Sequence, residues 1–202
     1  MTQLQEYGLN RELIQAWRKR FADCSNVSAW HESILDAECD AIVSPANSFG
    51  FMDGGLDLLL SEHFGWDVEQ RVRECLLNEY DGELPVGQAI VVPTTHDRVR
   101  WLISAPTMRV PMDVSSTAHA YLAFRAVLRA VRTHNETHSS DLITSVACPG
   151  LGTGEGNMPA DRCARQMRHA YEVCALKQPL RKGGLAAAVR EHMALIDYDE
   201  RF

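Results

Sequence analysis

The sequence predicts an α/β fold with a largely buried sheet and helices on both faces. Three observations predict it. Short apolar or β-branched runs recur, and four of them end at a proline: 40–44 before Pro45, 86–92 ending at Pro93, 99–105 before Pro106 and 142–148 before Pro149. Segments between these runs carry apolar residues at helical spacing. The runs are apolar in succession rather than alternating, as in strands covered on both faces.

Each element follows from its own residues. Leu9, Leu13, Ala16, Trp17 and Phe21 share a helical face, and Arg18-Lys19-Arg20 place cations at that helix's C-terminal end. A short strand follows at 27–30, and a second at 40–44. Residues 56–64 read as a buried helix. Asp67 is placed to cap the next, which runs to about residue 80 with Val68, Val72, Cys75, Leu76 and Tyr80 on one face. After the strands at 86–92 and 99–105, a long helix over 115–132 aligns Tyr121, Phe124, Leu128 and Val131. The strand at 142–148 leads to a helix over 160–176. Gly183-Gly184 breaks the chain before a last helix over 185–196.

The chain has 202 residues, 46% hydrophobic and 23% charged, with net charge -7. That is enough for one domain with its own core and too apolar for disorder. We read 1–202 as a single domain: a core over about 27–178, an N-terminal helix over 9–23 and a C-terminal extension over 179–202. The acidic balance argues against gripping nucleic acid by bulk charge. No run approaches the ~20 apolar residues that span a bilayer, and the first residues do not read as a signal peptide, so a cytoplasmic protein without a membrane partner is expected. Six cysteines without a C-x-x-C pair read as reduced thiols. His134 and His138 read as a solvated helix end rather than a metal site, and neither a metal nor a cofactor is expected. Arg162, Arg165 and Arg168, with Arg181-Lys182, read as a solvated basic face.

Two loops ask for a ligand, because open α/β sheets bind at strand C-terminal ends. The first runs from Ser44 through Asn47, Gly54-Gly55 and Asp57 into a helix. Its glycines let backbone approach a ligand, and the helix N-terminus offers N–H groups to an anion. The second, over 149–159, carries glycines at 150, 152, 154 and 156, a run of N–H groups able to hold phosphate without Lys or Arg. It is neither a Walker A loop nor a dinucleotide fingerprint.

The pairing of Asp40-Ala41-Ile42-Val43-Ser44-Pro45-Ala46-Asn47 and Gly54-Gly55-Leu56-Asp57 with Pro149-Gly150-Leu151-Gly152-Thr153-Gly154 resembles the macro domain family. The resemblance covers roughly 27–176. It implies a three-layer α/β/α sandwich with a mixed, largely parallel central sheet. It also implies a cleft for ADP-ribose or an ADP-ribosylated macromolecule, and in many members hydrolysis of ADP-ribosyl esters, O-acetyl-ADP-ribose or ADP-ribose 1″-phosphate. Carried over by position, Asn47 holds the distal ribose, Ala46 belongs to the same ADP-ribose site, and Asp57 orients or activates water. Gly54 and Gly55 form the diphosphate cradle with Gly150, Leu151, Gly152, Thr153, Gly154, Glu155 and Gly156, and Leu56 and Asn157 are further ADP-ribose-binding residues. The adenine contact falls on the segment that holds Glu32, with Glu32 the candidate to accept from the amino group and Ser33 and Ile34 further ADP-ribose-binding residues. Two departures stand out. Ser44-Pro45 replaces the usual Asn-Ala, and the second loop lacks the aromatic that covers the distal ribose, leaving Phe49, Phe51 or Met52 to do so. Intact Asn47 and Asp57 favour catalysis. The missing Asn at position 44 favours a non-catalytic ADP-ribose reader. Oligomeric state is not legible.

Overall fold

The structure is a computed structural model and describes residues 2–178 and 184–196. Six strands form one sheet: β1 (Gln3–Tyr7), β2 (Val27–Trp30), β3 (Ala41–Ser44), β4 (Ile90–Pro93), β5 (Trp101–Ser104) and β6 (Ser145–Cys148). Their order is β2-β1-β6-β3-β5-β4. All neighbours are parallel except β4 and β5, which pair antiparallel. The sheet is therefore mixed and largely parallel, as expected.

Helices α1 (Arg11–Arg20), α4 (His119–Thr137) and α5 (Ala160–Cys174) cover one face. There Trp17, Phe124, Val127, Met167 and Tyr171 pack on Leu4, Val43, Ile103 and Val146. Helices α2 (Gly55–Phe64) and α3 (Asp67–Glu79) cover the other, where Leu60, Val68, Val72 and Leu76 meet Ile42, Leu102 and Ala147. Each fully buried aliphatic side chain removed from water contributes about 1.5–3 kcal/mol, so both faces are covered for the same reason. A last helix, α6 (Gly184–Leu195), packs against α5. The three layers match the expected sandwich. Of the C-terminal extension only 184–196 falls within the described residues, and Arg181 and Lys182 lie outside them. Among the described residues no helix is long and apolar enough to cross a membrane.

One strand escapes sequence reading. Gln3–Tyr7 sits inside the sheet, pairing with both β2 and β6. Two glutamines and a glutamate in five residues are poor strand formers. Glu6, moreover, occupies an inward position beside Cys148, so the usual inward-apolar signal is missing. Other boundaries shift by a few residues. Asn10, not Leu9, opens α1, accepting N–H bonds from Glu12 and Leu13 at 2.9 and 3.3 Å. Trp66 rather than Asp67 precedes α3. The long helix α4 starts later and ends later than its apolar spacing suggested.

Candidate functional site

Strands β2, β1, β6, β3 and β5 run the same way, so their C-terminal ends line up along one edge. A cleft of about 750 Å³ lies over that edge. Every one of these strands contributes the segment that follows it. Glu32, Ser33 and Ile34 come after β2, and Gly8 to Asn10 after Tyr7, the last residue of β1. Gly150 and its neighbours come after β6, Asn47 to Asp57 after β3, and Thr107, Met108 and Pro111 after β5. Strands spaced about 4.8 Å apart put the β2 end roughly 14 Å from the β3 end, so the cleft is long enough for an extended ligand.

Most of the predicted residues meet here: Glu32, Ser33, Ile34, Ala46, Asn47, Gly54, Gly55, Leu56, Asp57, Gly150, Gly152, Thr153, Gly154, Glu155 and Gly156 all line the cleft. Two do not. Leu151 turns its side chain into the core, fully buried. Asn157 is exposed, and its amide donates to Asp113 at 3.2 Å, off the cleft wall. Of the three side chains expected over the distal end, only Phe51 lines the cleft, 45% exposed with the Arg73 guanidinium 4.6 Å from its ring. Met52 is buried in the core, and Phe49 carries Arg109 on its ring.

The first loop is braced by side chains. The Asn47 amide oxygen accepts from Phe49 N–H at 3.0 Å and Phe51 N–H at 3.4 Å, while its nitrogen donates to Phe51 C=O at 2.7 Å. An amide offers two donors and two lone pairs. Among the described residues one N–H of Asn47 has no partner and is available to a ligand. Deeper in, Glu69 of α3 accepts the Met52 N–H at 2.8 Å, and Ser61 of α2 donates to the Met52 carbonyl at 3.0 Å.

Asp57 sits in the first turn of α2 and is 7% exposed. The residue that precedes the helix, Gly54, has no side chain to cap it. Ser44 Oγ donates to Asp57 Oδ1 at 2.6 Å. Burial drives the Asp57 pKa up, the Ser44 hydroxyl holds it down and the Glu69 charge pushes it up, leaving it at about 6. A carboxyl with that value is mostly ionised at neutral pH yet close enough to 7 to exchange protons with water, the range of a working general base. Sequence reading saw only a lost Asn at position 44. The signal for its partnership was the strand end itself, which aims residue 44 at the helix packed beside it.

The second loop is shaped by space. A Cβ at Gly156 would lie 2.5 Å from Val114 Cγ2 and 2.6 Å from the Gly152 carbonyl oxygen. Gly152 has φ +73°. By contrast Gly54 and Gly154 face nothing within 4 Å, so no protein group requires a glycine there and the space in front of them is open to a ligand. The cleft is lined by no Lys, Arg or His among the described residues. An anion held here would therefore rest on backbone N–H groups and neutral side chains rather than on a cation.

Two expectations need correction. His134 is not solvated: it is 6% exposed, its Nε2 lies 2.9 Å from the Asp141 carbonyl, and its ring stacks edge-on to Trp101 at 4.6 Å. The arginines of α5 are not a free basic face either. Arg168 bonds Asp23 and Glu172, Arg165 reaches the Leu195 carbonyl, and Arg162 reaches that of Ser115.

With the cleft and its two loops in place, comparison with known proteins decides the family. A family model described as Macro domain matches residues 43–167. The chain belongs to the macro domain family. A relative described only as an uncharacterized protein, from Aquifex aeolicus (strain VF5), is 33% identical over 135 residues, 67% of this chain and 74% of its own length. Among solved macro domains, that of Mycobacterium tuberculosis DarG has a TM-score of 0.58 at 24% identity, covering 70% of this chain and 86% of that one. A mutant of the Oceanobacillus iheyensis macrodomain, solved with ADPR, has a TM-score of 0.56 at 20% identity, covering 67% of this chain and 72% of that one. The family match starts at Val43, one residue before Ser44, and so takes in both ligand loops but not β1 or the Glu32 segment.

Proposed function

We propose that this macro domain binds ADP-ribose in the cleft and hydrolyses ADP-ribosyl adducts, namely mono-ADP-ribosyl esters, O-acetyl-ADP-ribose or ADP-ribose 1″-phosphate. The observation that carries the reading is the meeting of Asn47, Asp57 and both glycine loops on one cleft over the parallel strand ends. Family membership and the relative solved with ADPR support the ligand. In this reading the adenine lies toward Glu32, Ser33 and Ile34. The diphosphate lies on N–H groups of Gly54, Gly55 and the second loop, which explains how an acidic chain holds an anion. The free Asn47 N–H meets a distal ribose hydroxyl. Asp57 takes a proton from water as that water attacks the adduct. Turnover then needs Asp57 ionised.

A calorimetric titration with ADP-ribose tests the binding half, and absence of heat at millimolar ligand overturns it. Incubation with a mono-ADP-ribosylated ester tests the catalytic half. Asp57→Asn is expected to lower turnover by roughly 10²–10⁴-fold, the usual worth of a general base, with ADP-ribose still bound. The second reading, a non-catalytic reader, is favoured by the engagement of the Asn47 oxygen within its own loop. Binding without any turnover on such substrates would select it.

A further inference from the structure

We propose that Ser44 is a positioning residue that holds the Asp57 carboxyl ionised and aimed at the water it activates, an inference that rests on the catalytic reading of Asp57. Three observations converge on it. Ser44 ends β3, and its backbone is fixed there: its carbonyl accepts the Ala105 N–H at 3.0 Å, and it sits in register with Ser104 of β5. Its hydroxyl is fully buried and 2.6 Å from Asp57 Oδ1. Asp57 lies in the first turn of α2, after Gly54, and among the described residues the Ser44 hydroxyl is the side-chain partner of its carboxyl.

The chemistry requires a donor at this point. An ionised carboxylate in a water-poor wall needs hydrogen bonds to stay charged. The charged group acting on Asp57 from another element is Glu69 of α3, which repels it. Glu32, Asp53 and Glu155 line the same cleft with like sign, and no cation lines it among the described residues. Among the described side chains the Ser44 hydroxyl works in the other direction, beside the N-terminal end of α2 in whose first turn Asp57 sits. Ser44 does not line the cleft, so it acts through Asp57 and not on the ligand.

The test is carboxyl-carbon NMR of the full chain, with Asp57 assigned by difference against Asp57→Asn. In Ser44→Ala the Asp57 midpoint is expected to rise by roughly one to two pH units, the worth of a hydrogen bond to a charged group. The acid limb of kcat/KM should move by the same amount, with ADP-ribose affinity at high pH unchanged. Ser44→Thr, which keeps the hydroxyl, should restore the midpoint. An unshifted midpoint in a folded Ser44→Ala protein overturns the inference. A midpoint that shifts in a chain that turns over no ADP-ribosyl substrate upholds the coupling and overturns only the catalytic reading.

Discussion

The two loops that face each other across the cleft are built on opposite plans. The first is tied by side chains: Asn47 makes three bonds within it, and Glu69 and Ser61 reach in from two helices to hold the Met52 backbone. The second is tied chiefly by backbone bonds and by the room its glycines leave, with one side-chain bond from Thr153 Oγ1 to the Gly150 carbonyl at 3.1 Å. Met158 N–H bonds the Gly152 carbonyl at 2.9 Å, and Val114 N–H bonds that of Gly156 at 2.9 Å, with the Val114 side chain pressed into the glycine surface. A loop tied by many side chains loses rigidity in steps. A loop defined by excluded volume fails at once, because close-packed neighbours have nowhere to go.

The largest effect should therefore come from filling the second loop. Gly156→Val places a branched side chain against a backbone oxygen and Val114. We expect a loss of about 3 kcal/mol or more in urea unfolding and no measurable ADP-ribose binding by calorimetry. A variant that keeps wild-type stability would show that the loop yields, and the contrast between the loops would disappear.

The comparison extends to one buried carboxyl associated with each loop. Asp57 opens to the cleft and has a donor. Glu6, in register with Cys148 just before the second loop, is buried with neither oxygen bonded among the described residues, and burial raises its pKa well above the usual carboxylate range. Both acids bind a proton more tightly folded than unfolded, so both make stability fall as pH rises. For Asp57 the fall runs from near its ordinary 3.8 to about 6 and amounts to about 3 kcal/mol. Asp57→Asn should remove that fall, so its stability relative to wild type climbs between pH 4 and pH 6 and then levels. Glu6→Gln should climb from the same acid side but keep climbing beyond the point where the Asp57 variant levels. Thermal unfolding across pH reads both, and coincident curves would erase the distinction between the two acids.

These same residues show how far sequence carried. Asn47, Asp57 and the glycines were legible because their chemistry is local: a strand end, a short loop, a helix start. The sheet between them was legible from apolar runs such as Ile42-Val43 and Val146-Ala147. What stayed hidden depends on contacts distant in sequence. Strand β1 was missed because Glu6 stands where an apolar residue would have signalled an inward face, and with it went the cleft wall from Tyr7 to Leu13. Ser44 looked like a deficit until α2 brought Asp57 beside it. Leu151 looked like part of a cradle, but a residue between glycines can point its side chain into the core while its backbone faces outward. His134 looked solvated because its covering partner, Trp101, lies 33 residues earlier.

A step down in size, Asn47→Ala removes three bonds from the first loop and the free N–H proposed for the ribose. Surface-loop bonds of this kind are worth about 0.5–1.5 kcal/mol each, and the backbone N–H groups of Phe49 and Phe51 can turn to water. We expect a stability loss of about 1–2 kcal/mol and weaker ADP-ribose binding. Equal losses of binding in Asn47→Ala and Gly156→Val would argue against a stepwise first loop.

The smallest effect is the most discriminating. Glu69 does two things to the first loop: it accepts the Met52 N–H, and its charge pushes against Asp57. Glu69→Gln keeps an acceptor oxygen and discards the charge, at the cost of only a weak pairing with Arg73 at 3.8 Å. Stability should hold within about 0.5 kcal/mol, while the Asp57 midpoint moves down, opposite in sign to Ser44→Ala. Glu69→Ala discards both and should lose about 1 kcal/mol, with the same downward direction from the lost charge. If Glu69→Gln instead moves the midpoint up, the carboxylate was reaching Asp57 through the clamped loop rather than by its charge. The first loop would then answer to shape as the second does.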